Sequence, residues 1–241
     1  MGIGNQFMRH IVKAACGLWL VFASAVAAQN SEPVVVVELY TSQGCSSCPP
    51  ADELLAELAT HDRVAPLALH VDYWDYLGWK DEFAHASFTE RQKAYARAVG
   101  NRMIYTPQMI VGGLHRVEGN KPGDVVAAVG EHLAATSPVT LELKRAGETV
   151  RIAASSAAPL GQPLRVQLVR YMPEKTVEIR GGENAGRVVT YRNIVTDWQS
   201  LGEWPGDAPL AMEAAVAGAL PVIVILQRPG PAEIVAAARL D

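Results

Sequence analysis

The chain has 241 residues, of which 49% are hydrophobic and 19% are charged, and its formal net charge is −4. This composition excludes a disordered chain and is long enough for one or two domains. The acidic balance argues against a nucleic-acid-binding protein, because such a protein needs a basic face.

Residues 1–28 have the pattern of a signal peptide. Arg9, His10 and Lys13 form a basic region, and the small residues Ala25 to Ala27 offer a cleavage site. The apolar stretch between them is about 15 residues, shorter than the roughly 20 that a membrane-spanning helix needs. We therefore expect an exported protein, periplasmic or secreted, with no membrane association after cleavage.

A buried strand, a turn with two cysteines and an amphipathic helix are predicted for residues 34–58. Val34 to Val37 are four consecutive β-branched residues, which suit a strand covered on both faces. Pro49 fits the first turn of a helix, where its missing N–H has no cost. The Cys45-Ser46-Ser47-Cys48 segment therefore lies between the end of a strand and the start of a helix.

This position favours a redox-active dithiol that closes into a Cys45–Cys48 disulfide and reopens. A thiol at a helix N-terminus meets unpaired N–H groups and the positive end of the helix dipole, so its pKa falls. Cys16 would be lost with the signal peptide, and two cysteines are too few for a disulfide scaffold or a four-thiolate zinc site. A structural staple and half of a metal site remain as alternatives.

An aromatic segment, residues 73–80, follows a second strand predicted for residues 64–71. Strand, helix and strand form a β-α-β unit with parallel strands, and ligands of open α/β sheets bind beyond the carboxyl ends of the strands. Tyr73, Trp74 and Trp79 are therefore candidates for substrate contacts beside the cysteines. These aromatic residues are equally suited to fill the core under a helix.

Four more elements complete the first half of the chain in the order α, β, β, α. They are a helix over residues 87–99, strands over 103–111 and 114–117, and a closing helix over 124–133. Pro107 near the start of a strand suits a strand edge or a cis peptide bond. Gly112-Gly113 is a hairpin signal.

This order of elements and three sequence blocks resemble known proteins. The first half is similar to the thioredoxin fold, in which C-x-x-C opens the first helix and a cis-proline stands where Thr106-Pro107 stands here. The blocks Glu38 to Asp52, His70 to Asp81 and Tyr105 to Met109 more closely resemble a family of secreted bacterial proteins of unknown function, domain of unknown function 1223. Ser46-Ser47 replaces the Gly-Pro of thioredoxin, so the resemblance leaves the redox direction open.

The thioredoxin pattern implies roles for individual residues. Cys45 would attack a substrate disulfide, and Cys48 would resolve the mixed disulfide. Thr106-Pro107 would line the substrate groove and pair with the substrate backbone. Glu38 stands near the position of the buried acid that relays a proton to the resolving thiol; a Glu at the water-facing rim of the strand is the alternative.

Residues 137–241 change in character to short alternating strands at intervals of roughly 10 to 15 residues, which indicate an antiparallel sandwich. We therefore expect an α/β thioredoxin-like domain over residues 31–136, followed by an all-β, sandwich-like C-terminal domain. The glycine-rich segment 181–193 lacks the Lys and Ser/Thr of a phosphate loop. It suits a hairpin, pairing against the first domain, or a partner site.

The expected function is an exported thiol–disulfide oxidoreductase that acts on protein or small-molecule disulfides, without a cofactor or a bound metal. One alternative is a periplasmic copper-handling protein that uses Cys45, Cys48 and His70, since thiolate and imidazole suit copper. The other is a non-enzymatic binding protein in which the disulfide is a staple. Neither the substrate nor the oligomeric state follows from these patterns.

Overall fold

The computed structural model describes residues 34–241, so the signal peptide expected at residues 1–28 lies outside the described part of the chain. The elements in chain order are β1 (Val35–Thr41), α1 (Pro49–Leu58), β2 (Val64–His70), α2 (Ala86–Ala98), β3 (Gln108–Val111), β4 (His115–Glu118), α3 (Pro122–Ala134), β5 (Val139–Ala146), β6 (Thr149–Ser156), β7 (Leu164–Glu178), β8 (Val188–Trp204), β9 (Leu210–Ala215), β10 (Val222–Gln227) and β11 (Ile234–Leu240). A short 3-10 helix covers Asp75–Leu77. No helix in this range is both long and apolar enough to cross a membrane.

One mixed sheet of eight strands runs through both halves of the chain, in the order β11-β10-β7-β8-β2-β1-β3-β4. β1 pairs with β2 in parallel and with β3 in antiparallel fashion. β8 joins the other edge of β2 in parallel, at Ala68 and Ile194. A second sheet of three strands, β5-β6-β9, is antiparallel.

The expected α/β thioredoxin-like domain followed by a separate all-β domain is wrong. The described chain is mostly β, with 43% of its residues in strands and 19% in helices. Strands of the second half extend the sheet of the first half, because β2 has an edge whose buried backbone groups need partners, and β8 supplies them. The boundary expected between residues 136 and 137 falls between α3 and β5, and it stays a prediction.

The elements predicted for the first half form close to their expected bounds. One strand is shorter than predicted, because the segment from residue 103 enters the sheet only at Gln108, after a cis peptide bond between Thr106 and Pro107. Gly112 and Gly113, both at positive φ, form the turn between β3 and β4 as predicted.

The two faces of β1 belong to different cores, and this separation decides which side chains can reach the cysteines. Val37 and Leu39 pack with α1 and α3 on one face. Val36 and Tyr40 pack with α2 and with strands of the second half on the other. Since side chains alternate along a strand, Glu38 shares the face of Val36 and Tyr40.

The second half places a long hairpin beside the cysteine turn. The three-stranded sheet packs on the β7-β10-β11 end of the large sheet, where Leu143 and Ile152 meet Leu168 and Val224. β7 and β8, of 15 and 17 residues, pair with each other beyond this core, and β8 reaches β2 at Ala68 and Ile194. Tyr191, near the start of β8, packs edge-on against His70 at the end of β2, so the connection between β7 and β8 lies near that end.

Candidate functional site

Cys45 and Cys48 form a disulfide in the turn between β1 and α1, with an S–S distance of 2.08 Å and Cα atoms 5.4 Å apart. Both cysteines are buried, with exposed fractions of 1% and 0%. Ser46 and Ser47 between them are exposed. The predicted disulfide is therefore present, but it presents almost no surface to solvent.

The N-terminus of α1 offers fewer free donors than its sequence suggested. Cys48 is the N-cap residue, and the next two residues are prolines, which have no N–H. The first N–H groups of the helix, those of Ala51 and Asp52, bond to the Cys48 carbonyl oxygen. What remains to stabilise a Cys45 thiolate is the dipole of the helix and the Ser47 hydroxyl, whose oxygen lies 3.4 Å from the Cys45 sulfur.

Asp52 is a buried carboxyl group one helical turn beyond Cys48. It accepts a hydrogen bond of 2.8 Å from the Thr41 hydroxyl at the end of β1. Burial raises the pKa of Asp52 from 3.8 to about 7, although His70 and the Thr41 hydroxyl act to lower it. Because helical side chains lean toward the N-terminus, a residue at i+4 reaches back toward residue i. The Asp52 side chain therefore leans toward Cys48, which lies one turn before it at the N-terminus of α1.

A buried His–Asp pair supports the same turn. His70 Nδ1 lies 2.7 Å from Asp81 Oδ2, and both side chains are fully buried. Asp81 Oδ2 also accepts the backbone N–H of Gln43, which precedes the cysteines by two residues. Burial acts to raise the pKa of Asp81, but the neighbouring His70 and the hydrogen bonds bring it below its usual value. The charged Asp81 thus ties the end of β2 to the cysteine turn.

Glu38 is placed differently from the expectation. It is 0% exposed, so the alternative of a water-facing rim residue is wrong. Its oxygens accept hydrogen bonds from Tyr95, Tyr40 and Arg91, at 2.6 to 2.9 Å. These partners occupy the face of β1 opposite α1, so a proton relay from Glu38 to Cys48 has no support in this geometry. The residue types around the cysteines gave no signal that Asp52 would be the buried carboxyl group on the α1 side.

The cis Thr106–Pro107 segment lies beside the start of α1. A Cβ atom placed on Gly119 would be 2.9 Å from Pro107 Cβ and 3.0 Å from Ala51 Cβ, so Gly119 permits this close approach. Trp74 Nε1 donates to the Thr106 hydroxyl at 2.7 Å. The cis-proline segment, the aromatic segment and α1 therefore meet at one end of the sheet, as parallel strand ends predict.

The three aromatic candidates are half-buried, and Trp74 and Trp79 contact the cysteine turn. Trp79 Nε1 donates to Gln43 Oε1 at 2.7 Å. Tyr73 instead donates to Gln92 on α2, at 3.2 Å. Contact of these residues with a substrate stays a prediction, and their packing role is evident from these bonds.

The glycine-rich connection of the β7–β8 hairpin covers the cysteine turn. Asn184 Nδ2 donates to the carbonyl oxygens of Gln43 and Cys45, at 2.9 and 2.8 Å. Glu183 Oε2 accepts the backbone N–H of Ser46 at 3.4 Å. The segment is thus both a hairpin connection and a contact with the first half, which were two of the three expectations for it; a partner site stays a prediction.

Within residues 34–241, no three His, Cys, Asp or Glu side chains are grouped so as to hold a metal ion. Both sulfurs of the expected copper ligand set are joined to each other. His70, the third expected ligand, has its Nδ1 atom engaged by Asp81.

Comparison with known proteins agrees with the three sequence blocks. A family model described as "Protein of unknown function (DUF1223)" matches residues 36–227. The chain belongs to this family. A crystal structure of a structural-genomics target from Agrobacterium tumefaciens is similar to this DUF1223 protein, with 34% identity and a TM-score of 0.75 over 87% of this chain and 95% of that one.

A second solved structure, HBP35 of Porphyromonas gingivalis, is 16% identical with a TM-score of 0.58, over 87% of this chain and 75% of that one. At this identity the likeness concerns the fold alone. No curated protein matches the chain significantly.

We expect an Asp52→Asn variant of this DUF1223 protein to change how stability depends on pH. A raised pKa means that the folded state binds the Asp52 proton more tightly than the unfolded state does, and this difference stabilises the fold. The stabilisation is full below about pH 4 and is lost as the pH rises to about 7. The asparagine side chain of the variant does not titrate, so the variant does not lose this stabilisation. Its free energy of unfolding should therefore rise relative to that of the wild type by on the order of 4 kcal/mol between pH 4 and pH 8.

Urea unfolding of both proteins across this pH range measures the effect. Glu53→Gln, a substitution of the exposed neighbouring acid, serves as the control and should leave the pH dependence unchanged. Parallel pH profiles for wild type and Asp52→Asn would show that Asp52 titrates normally.

Proposed function

We propose that this DUF1223 protein is an exported thiol–disulfide oxidoreductase whose reactive group is the Cys45–Cys48 pair. The observation that carries the proposal is a C-x-x-C disulfide at the start of a helix, with a buried carboxyl group of pKa about 7 one turn away. The adjacent cis Thr106–Pro107 segment adds support. Export, to the periplasm or the medium, rests on the pattern of residues 1–28.

The reduced protein transfers two electrons to a disulfide in two exchange steps. Cys45 thiolate attacks one substrate sulfur, the substrate S–S bond breaks, and a mixed disulfide forms while one substrate thiolate leaves. Cys48 gives its proton to Asp52 and attacks the Cys45 sulfur, which releases the second substrate thiolate and forms the Cys45–Cys48 bond. Reduction of the protein by an external thiol follows the same steps in reverse.

Asp52 suits this role because a proton acceptor works best when its pKa is near the working pH. With a pKa of about 7, the Asp52 carboxyl group exists in both protonation states near neutral pH. The substrate in this proposal is a disulfide-bearing protein or a small thiol or disulfide.

Burial of both cysteines favours a second function, a non-enzymatic binding protein in which the disulfide holds the turn between β1 and α1. A staple of this kind needs no access for an attacking thiolate. The two functions differ in the reduction potential of the pair.

A redox titration of the chain without residues 1–28, in glutathione buffers with alkylation of free thiols, tests the proposal. We expect a potential between about −120 and −270 mV, together with a Cys45 thiol pKa below the ordinary value of about 8.5. A potential below about −300 mV with an unreactive pair would overturn the oxidoreductase and favour the staple.

A further inference from the structure

Residues 181–187, which we name the cover loop, lie against the cysteine turn although they are more than 130 positions away in the sequence. Asn184 is 2% exposed, and its amide nitrogen bonds to two backbone carbonyls on either side of Gly44. A Cβ atom on Gly181 would be 2.8 Å from the Gly78 carbonyl oxygen, so the cover loop also lies directly on the aromatic segment. Cys45 is only 1% exposed in this arrangement, so an attacking thiolate needs the cysteine turn to be uncovered first.

The contact between the cover loop and the cysteine turn leaves two buried polar atoms without hydrogen bonds to any described residue. Asn184 Oδ1 and Gln43 Nε2 are both buried and have no hydrogen-bond partner in the described part of the protein. Unpaired buried polar atoms are unfavourable, and they oppose the two bonds that Asn184 makes. The contact of Glu183 with the Ser46 N–H is long, at 3.4 Å, and exposed. Opening the loop would therefore lose two good bonds and free two unpaired groups for hydration.

We propose that the cover loop is a movable lid over the disulfide, held shut by Asn184, and that it opens before Cys45 exchanges. Asn184 is then a positioning residue that makes no contact with the reacting sulfur atoms. As a device that regulates redox turnover, the lid rests on the proposed function. Its effect on access to the disulfide is measurable without any physiological substrate.

Reduction by dithiothreitol provides the probe. One dithiothreitol thiolate attacks Cys45, the Cys45–Cys48 bond breaks, and Cys48 leaves as a thiolate that takes up a proton. The second dithiothreitol thiol, as its thiolate, closes the reagent into its cyclic disulfide and releases Cys45. Two electrons pass from the reagent to the protein, and the rate constant reports how often Cys45 is accessible.

Asn184→Asp and Asn193→Asp form a matched pair of variants. Each replaces an amide donor to a backbone carbonyl by a carboxylate, and Asn193, which donates to the Pro66 carbonyl oxygen at 2.9 Å, lies in the same hairpin away from the disulfide. We expect the second-order rate constant for reduction to rise about tenfold or more in Asn184→Asp, since two hydrogen bonds are lost. The Asn193 variant should stay within about twofold of the wild type.

Thermal unfolding of both variants separates lid opening from general loosening, and Asn184→Ala replaces Asn184→Asp if the latter fails to fold. Equal rate constants for wild type and folded Asn184 variants, or an equal increase in the Asn193 variant, would overturn the lid. A reduction potential of the Cys45–Cys48 pair below about −300 mV, together with faster reduction of the Asn184 variant, would instead refute the proposed function while still supporting the lid.

Discussion

A Cys45→Ser variant is expected to lose thiol–disulfide exchange down to the rate without protein, whereas Cys48→Ser is expected to accumulate a mixed disulfide. Serine cannot serve as the attacking thiolate, so the first variant never forms the covalent intermediate. In the second variant Cys45 still attacks, but no neighbouring thiol resolves the product.

Reduction of a disulfide-bearing model protein measures the first effect. Non-reducing electrophoresis and intact-mass determination detect the adduct in the second. Ser46→Ala is a suitable control, because its side chain is exposed between the cysteines, and it should retain activity. Activity in Cys45→Ser equal to that of the wild type would refute the assignment of Cys45.

An Arg91→Met variant is expected to lower the free energy of unfolding by about 3 to 5 kcal/mol, because it leaves the buried Glu38 carboxylate without a positively charged partner. Arg91 donates to both Glu38 oxygens, at 2.6 and 2.8 Å. Its guanidinium also lies 3.8 Å from the centre of the Trp198 ring and bonds to Gln227. The pair thus connects β1 and α2 to β8 and β10, across the two halves of the chain.

Urea unfolding gives this number, with Arg97→Met as the matched control on the same helix. Arg97 is 59% exposed, and its pair with Glu90 at 3.9 Å is an exposed one, so its loss should change stability by less than about 0.5 kcal/mol. A Glu38→Gln, Arg91→Met double variant should recover part of the loss, since neither charge remains. If both single Arg substitutions changed the free energy of unfolding equally, the buried Glu38–Arg91 pair would contribute no more to stability than the exposed one.

Local signals in the sequence determined the elements of the first half. The valine run of β1, the prolines that open α1 and the paired glycines between β3 and β4 each act through their own backbone preferences. The C-x-x-C spacing determined that a disulfide can close. The resemblance around Thr106-Pro107 predicted the cis peptide bond that the structure has there. These features depend on neighbours a few residues away.

The tertiary structure alone decided which strands become neighbours and which polar groups pair. Alternation over residues 137–241 indicated strands with one buried face, but the same pattern suits pairing within a separate sandwich or, for β8, on the edge of β2. Likewise, Glu38 meets Arg91, and Asn184 meets Cys45, across 53 and 139 positions. Hydrophobic burial has no direction and hydrogen bonds form with any geometrically matched partner, so contacts at this separation follow from the packing of the whole chain.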